Sequence, residues 1–281
     1  MISAKVICDS ISPIGGDPGK RITTIQVKFH RFILPEFLTH RVFSRNFSSS
    51  RAIPTKKLLD QVRNDPAMPV YWGKNVPGMQ AKEELSPYEI EGAKNQWIQA
   101  AKQAAFYAES MSLINVHKQI VNRLLEPFLW VHGIVTSTEW TNFFDLRCHP
   151  DAQPEIQALA YAMFHAMEAS TPRVLQFNEW HLPYISEDEK HDESFINHSD
   201  KFILQKISAA RCCRVSYNKI DGSAPNVEDD LLLYSRLVNR APIHASPLEH
   251  QATPCDSTPK LQGNLHQWAQ FRKIIERTLT T

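Results

Sequence analysis

Residues 22–33 alternate Ile25, Val27 and Phe29 with Gln26, Lys28 and His30, and a two-residue period of this kind demands a strand with one face in a core. A second strand is expected over residues 2–9. Gly15-Gly16-Asp17-Pro18-Gly19 between them is turn chemistry. It is not a phosphate loop, because Lys20 is followed by Arg21 rather than Ser or Thr and the glycine spacing is wrong. The middle of the chain keeps a different period. Trp97, Ala101, Ala104, Ala108, Met111 and Ile114 recur every three to four residues and predict one long amphipathic helix. Ile156, Leu159, Ala160, Met163, Phe164 and Met167 form a second helical stripe, read as core, with Asp151 as the expected N-cap and Pro154 in the first turn. Pro35 suits the start of a short helix over Glu36 to Arg41. Leu129 to Val135 fits a strand or a buried helix equally. Asn226 is expected to cap a helix with Val227, Leu231, Tyr234 and Val238 on one face. Pro254 to Gly263 reads as a loop, with a last helix from about Asn264.

The segment from Thr39 to Arg51 (THRVFSRNFSSSR) concentrates Arg41, Arg45, Arg51, His40 and several hydroxyls. Arginine offers planar, paired donors suited to phosphate oxygens, and serine hydroxyls with free backbone N–H groups can complete such a cradle. The plainer reading is a solvated basic loop.

Composition narrows the classes. A chain of 281 residues makes one large domain or two small ones, and a 42% hydrophobic content supports a sizeable core. The formal net charge is only +1, so nothing global points to nucleic acid or an anionic membrane, and any anion binding is local. No apolar run approaches the roughly 18–20 residues that span a bilayer. The N-terminus turns polar too quickly for a secretory signal. Five cysteines without metal-like spacing read as reduced thiols of a cytoplasmic protein, and no Cys/His cluster has the spacing of a zinc site. Cys212 and Cys213 are adjacent in an expected helix, so at most one should face the core.

His40, Arg41, Ser44, Asn46, Ser49 and Arg51 fall on the Arg-His-Arg signature of the flavin-dependent thymidylate synthases, and three further blocks carry the same resemblance. Leu146 to Ile156 (LRCHPDAQPEI) resembles that family's Leu-Arg-x-x-x-x-Ala-Gln-x-Glu-Ile segment. Ala209 to Tyr217 (AARCCRVSY) and His244 to His250 (HASPLEH) resemble its Ala-Arg-Val-Ser-Tyr and His-x-Ser/Thr-Pro-Phe-Glu-His blocks. In the family the last two precede the Arg-His-Arg motif; here they follow it. The order implies a circular permutation, which a fold tolerates when its termini lie close together.

The resemblance implies a circularly permuted α+β domain, a mixed sheet with long helices. Residues 1–180 would carry the family's central and C-terminal part, 181–198 a linker, and 199–281 its N-terminal part. It implies C5-methylation of dUMP, with FAD, methylenetetrahydrofolate as carbon donor and a reduced nicotinamide as reductant, in a homotetramer with no nucleic acid or membrane partner. Arg147 and Ser49 would be catalytic. Glu36, Phe47, Ser48, Ser49, Ser50, Arg51 and Arg147 would bind the nucleotide, with Arg51 on its phosphate and Arg147 on the pyrimidine edge. His40, Arg41, Asn46, Asn142, His244, Ser246 and Glu249 would hold FAD, and no residue a metal. Read alone, Arg147 is a surface ion-pair partner and His244 and His250 are loop histidines. Departures gather at the expected site: Thr39 for Arg, Phe47 for Glu, Glu36 for Gln, Ala52 for Tyr, and Thr136 and Thr138 where Asn and Arg are expected. They leave open another pyrimidine such as dCMP, hydroxymethyl transfer, or a nucleotide-binding protein without turnover.

Overall fold

β1 (Ser3–Ile11), β2 (Arg21–His30), β3 (Ser44–Phe47), β4 (Trp130–Ser137) and β5 (Arg173–Val174) build a mixed sheet in the order β3-β4-β2-β1-β5 in the computed structural model. It describes residues 1–13, 19–215, 226–255 and 258–280; Gly15 to Pro18 of the expected turn, and Ser216 and Tyr217, lie outside them. Only β5 runs parallel to its neighbour. The ambiguous 129–135 segment is a strand because it pairs on both sides, with β2 and β3. The class is α+β, as the resemblance implies.

One face of the sheet is apolar. Ile25, Val27, Phe29, Val131 and Val135 meet Ile156, Leu159, Ala160, Met163 and Met167 from the helix Pro154–Glu168. That helix starts from Gln153 rather than from Asp151. The Asp151 N–H is instead drawn into a turn by His149 Nδ1 at 3.1 Å, two residues before the helix can begin. Phe29, Phe37, Phe43, Phe47 and Phe143 interlock at ring distances of 5.3 to 5.7 Å.

The other face is largely polar. β1 and β2 shift register between Val6 and Cys8, so Cys8 and Ser10 turn to the side of Thr24 and Ile22. The helix Ile203–Val215 covers this face, buried on every side, which is why Cys212 and Cys213 are both fully buried where only one was expected inside. Its Arg211 pairs with Asp230 and Glu189, and Arg214 with Asp230. The next helix, Val227–Val238, does take Asn226 as its cap. The expected face holds, with Val227, Leu231, Tyr234 and Val238 all packed against apolar clusters, and the helix also buries Leu237 and Asp230, the latter reaching both arginines.

The long helix Pro87–Leu113 opens with a capping box between Ser86 and Glu89 and buries Ala101, Ala105 and Ala108. The helix over Glu36 to Arg41 is shorter and earlier, Leu34–Phe37, since the Thr39 hydroxyl takes the Glu36 carbonyl at 2.7 Å. At the C-terminus a short helix (Pro259–Gln262) interrupts the expected loop. β6 (Ala252–Pro254) pairs with β7 (Trp268–Gln270), and the last helix waits until Phe271–Thr280, not Asn264. Gln267 adopts φ 66°, a conformation no continuing helix allows. In 181–198, His181, Leu182 and Ile185 are buried, and two short helices follow. No described helix is long and apolar enough to cross a membrane.

Candidate active site

Arg147 ends the helix Thr141–Arg147 and meets two residues from the far side of the sequence. Its Nε donates to His40 Nε2 at 2.9 Å, and its Nη1 donates to the Glu36 carboxylate. His40 is buried between the rings of Phe43 and Phe143. Burial, then the Arg147 and Arg45 charges, push its pKa down to about 4. The imidazole is therefore neutral at pH 7. With Nε2 accepting from Arg147, its proton sits on Nδ1.

Glu36 and Arg147 line an 840 Å³ cleft whose walls include Phe32, Tyr71 and Trp97. Ala152, Gln153, Pro154 and Glu155 complete it, so the whole Ala-Gln-x-Glu block lines the cleft. Glu155 is buried and accepts from the Val70 N–H at 3.0 Å and from Gln153 Nε2 at 2.9 Å, pinning the segment that forms the opposite wall. Sequence reasoning singles out Arg147 in this block and passes over Glu155; the motif itself was the available signal. Tyr71 and Trp97 carried no signal beyond helix periodicity at Trp97.

The Ser48–Arg51 turn does not line the cleft. Ser48 Oγ accepts from the His132 N–H at 3.1 Å, Ser50 Oγ donates to Glu126 at 2.6 Å, and Asn122 Nδ2 donates to the Ser50 carbonyl at 2.7 Å. Ser48 and Ser50 are thus engaged within the protein, while Arg51 is exposed and Ser49 half-buried. Phe47 stands edge-on to Phe29 and Phe37, so its half-buried ring packs against the core.

The two C-terminal blocks pack on β3. Asn46 Nδ2 donates to the Cys212 carbonyl at 3.0 Å, and Ser246 Oγ donates to Asn46 Oδ1 at 3.3 Å. Glu249 pairs with Arg272, a partner the sequence did not suggest; burial raises its pKa against the pull of that cation. Arg41, Asn142 and His244 are exposed. Thr138 Oγ1 accepts from the His266 N–H, and Thr136 lies in a buried chain on the polar face. That chain runs Ser10–His181–Thr24–Thr136–His250 through contacts of 2.9, 2.8, 2.6 and 2.8 Å.

Among the described residues no group of His, Cys, Asp and Glu could hold a metal, and all five cysteines are free. Burial pushes the Cys213 thiol up to about 11 and the Cys212 thiol well above its usual range, which suits neither for nucleophilic work.

The family described as thymidylate synthase complementing protein matches residues 22–173. No curated protein matches the chain. Among solved structures, the UMP/dUMP methylase PolB from Streptomyces cacaoi, bound with 5-Br UMP, aligns at 16% identity over 59% of this chain and 88% of its own, with a TM-score of 0.48. Thymidylate synthase X from Helicobacter pylori, with FAD and dUMP, aligns at 18% identity over 52% and 67%, with a TM-score of 0.37.

Proposed function

The chain belongs to the thymidylate synthase complementing protein family, and on that premise we propose that it methylates C5 of a pyrimidine deoxynucleotide, using a folate one-carbon donor and reduced FAD. dUMP is the substrate that the resemblance gives, with methylenetetrahydrofolate as carbon source and a reduced nicotinamide as reductant. One observation carries the reading: His40 and Arg147, 107 residues apart and each inside a family-like motif, meet through a hydrogen bond, and Arg147 lines the cleft. A cleft of this size with aromatic walls and a few convergent polar groups suits a small heterocyclic ligand.

Arg147 donates to the pyrimidine edge, and its charge steadies the ring as electrons move toward C5. His40 is a positioning residue: as a neutral acceptor it fixes the guanidinium without adding charge beside the base. Ser49 and Arg51 take the phosphate. Because they do not line the cleft with Arg147, the reading draws phosphate and base contacts from different subunits of a homotetramer. The exposed donors Arg41, Asn142 and His244 fit the anionic phosphates of FAD, and Asn46, Ser246 and Glu249, held by internal contacts, shape the adjoining surface. Bound in its reduced form, FAD supplies the hydride that completes the methyl group. The reading includes the circular permutation. Supporting it, the C-terminal blocks pack on β3 through Asn46, Cys212 and Ser246, and the family match ends before them.

Purified protein should take up FAD at micromolar concentration and show a flavin spectrum. It should also release tritium from a C5-labelled pyrimidine deoxynucleotide when folate and reductant are present. Arg147→Ala should lower kcat more than it raises KM. Absence of both FAD uptake and tritium release from dUMP and dCMP would sink the reading.

A further inference from the structure

Arg147 carries five N–H donors, and two are taken: Nε by His40 and one Nη1 proton by Glu36. Among the described residues the remaining three have no partner, and neither does the second oxygen of the Glu36 carboxylate. Both side chains line the cleft and are partly exposed, 19% for Arg147 and 32% for Glu36. A carboxylate oxygen followed by the two terminal nitrogens of a guanidinium presents acceptor, donor, donor in a row. Guanine shows the same row on its pairing edge.

We propose that Glu36 and Arg147 together read the base, and that the row selects cytosine over uracil. This rests on the nucleotide site proposed above and names its base. Cytosine offers an amino donor, the N3 acceptor and the O2 acceptor in sequence, so each meets its complement: the amino group on Glu36, N3 and O2 on Arg147. Pairing of a glutamate with the cytosine amino group is a general mode of base recognition. Uracil offers acceptor, donor, acceptor. Laid on the same row, its O4 faces the carboxylate and its N3–H faces a guanidinium N–H. Sliding it by one position recovers two bonds, N3–H to Glu36 and one carbonyl to Arg147, but gives up the third. Uracil is therefore disfavoured rather than excluded.

Glu36 works here only as a carboxylate. An amide in its place can donate as well as accept, and so can meet the uracil O4. His40 matters indirectly, since its acceptor nitrogen fixes which Arg147 donors stay free.

The test is calorimetric binding of dCMP and dUMP to the full chain loaded with FAD, in wild type, Glu36→Gln and Glu36→Asp, with thermal melting as the check on folding. The wild type should bind dCMP more tightly than dUMP by about tenfold to a hundredfold, the discrimination typical of one well-made base contact. Glu36→Gln should shift that ratio toward dUMP by about tenfold or more, whereas Glu36→Asp, still an acceptor, should keep cytosine ahead. Tighter binding of dUMP by the wild type, or a ratio unmoved in Glu36→Gln, overturns the assignment of the base and leaves the nucleotide site standing. Binding of neither nucleotide overturns the site itself, and this inference with it.

Discussion

The two faces of the central sheet solve burial in opposite ways. On one, Ile25, Val27, Phe29, Val131 and Val135 disappear against the 154–168 helix and a group of phenylalanines. On the other, Ser10, Thr24, Thr136, His181 and His250 are equally buried but hydrogen-bonded end to end. The apolar face is stabilised in proportion to the area and volume it fills, and no single contact in it is indispensable. The polar face depends on count: every link needs one donor and one acceptor, and a missing partner leaves its neighbour desolvated and unpaired. His250 Nε2 already lacks a partner among the described residues. Volume should therefore govern substitutions on the first face, and hydrogen-bond inventory those on the second.

The largest effect belongs to the apolar face. Phe29 is fully buried and touches both Phe37 and Phe47, so Phe29→Ala leaves a cavity that the interlocked rings cannot close. Its expected cost is about 3–5 kcal/mol, read from chemical denaturation. A loss below about 1 kcal/mol would mean that the aromatic group repacks freely, and the contrast between the faces would fail.

Acid should weigh most heavily on the polar face. Burial pushes both His181 and His250 down to about 3. Their folded pKa values lie below the unfolded value near 6.5, so the unfolded chain binds more protons throughout the interval. Stability from keeping them neutral is complete above about pH 6.5 and is lost as pH falls toward 3. Each histidine contributes a slope of about 1.4 kcal/mol per pH unit inside that window, hence roughly 2.7 kcal/mol between pH 6 and 4. Unfolding free energies measured across that range should fall steeply in the wild type and less steeply in His181→Gln, which removes one titrating group. Equal slopes would show that His181 is not buried neutral.

Legibility in the sequence divides along the same line. The apolar face was readable because Ile25, Val27 and Phe29 alternate and Ile156, Leu159, Ala160 and Met163 recur at helical spacing; periodicity is a local property of the chain. The polar face has no period. Thr24 meets His181 across 157 residues, through a β-bulge that reverses the facing of Ser10, and no window of sequence contains that partnership. The candidate site lies between these cases. Family-like motifs point to His40 and Arg147, but the hydrogen bond between them, and the carboxylate of Glu36 beside them, are facts of packing. Phe47 shows the same limit from the other side: its motif position gives no hint that its half-buried ring packs edge-on against Phe29 and Phe37.

Gly133 ties the apolar face to its edge strand. It sits opposite Phe47, and an added Cβ would lie 2.2 Å from that ring and 2.5 Å from the Asn46 carbonyl. Gly133→Ala should therefore cost about 1–3 kcal/mol through overpacking. Phe47→Ala in the same chain should recover only part of it, because the backbone carbonyl remains in the way. Full recovery would place the whole clash in the ring and make β3 more pliable than its pairing suggests.

The smallest effect is the most discriminating. Thr136 bridges Thr24 and His250 through its hydroxyl and carries one methyl group besides. Thr136→Val keeps the shape and removes the hydroxyl, leaving His250 Nδ1 unpaired and Thr24 with His181 alone, and should cost about 1–3 kcal/mol. Thr136→Ser keeps the hydroxyl and removes the methyl group, worth about 0.8 kcal/mol of burial. If the polar face is governed by donors and acceptors, the valine variant must be the less stable of the two in urea titrations. On a face governed by volume the order reverses, because valine fills the site and serine leaves a gap. A reversed order at Thr136 would make the two faces one and the same kind of core, with the hydroxyl–histidine chain incidental to what holds it together.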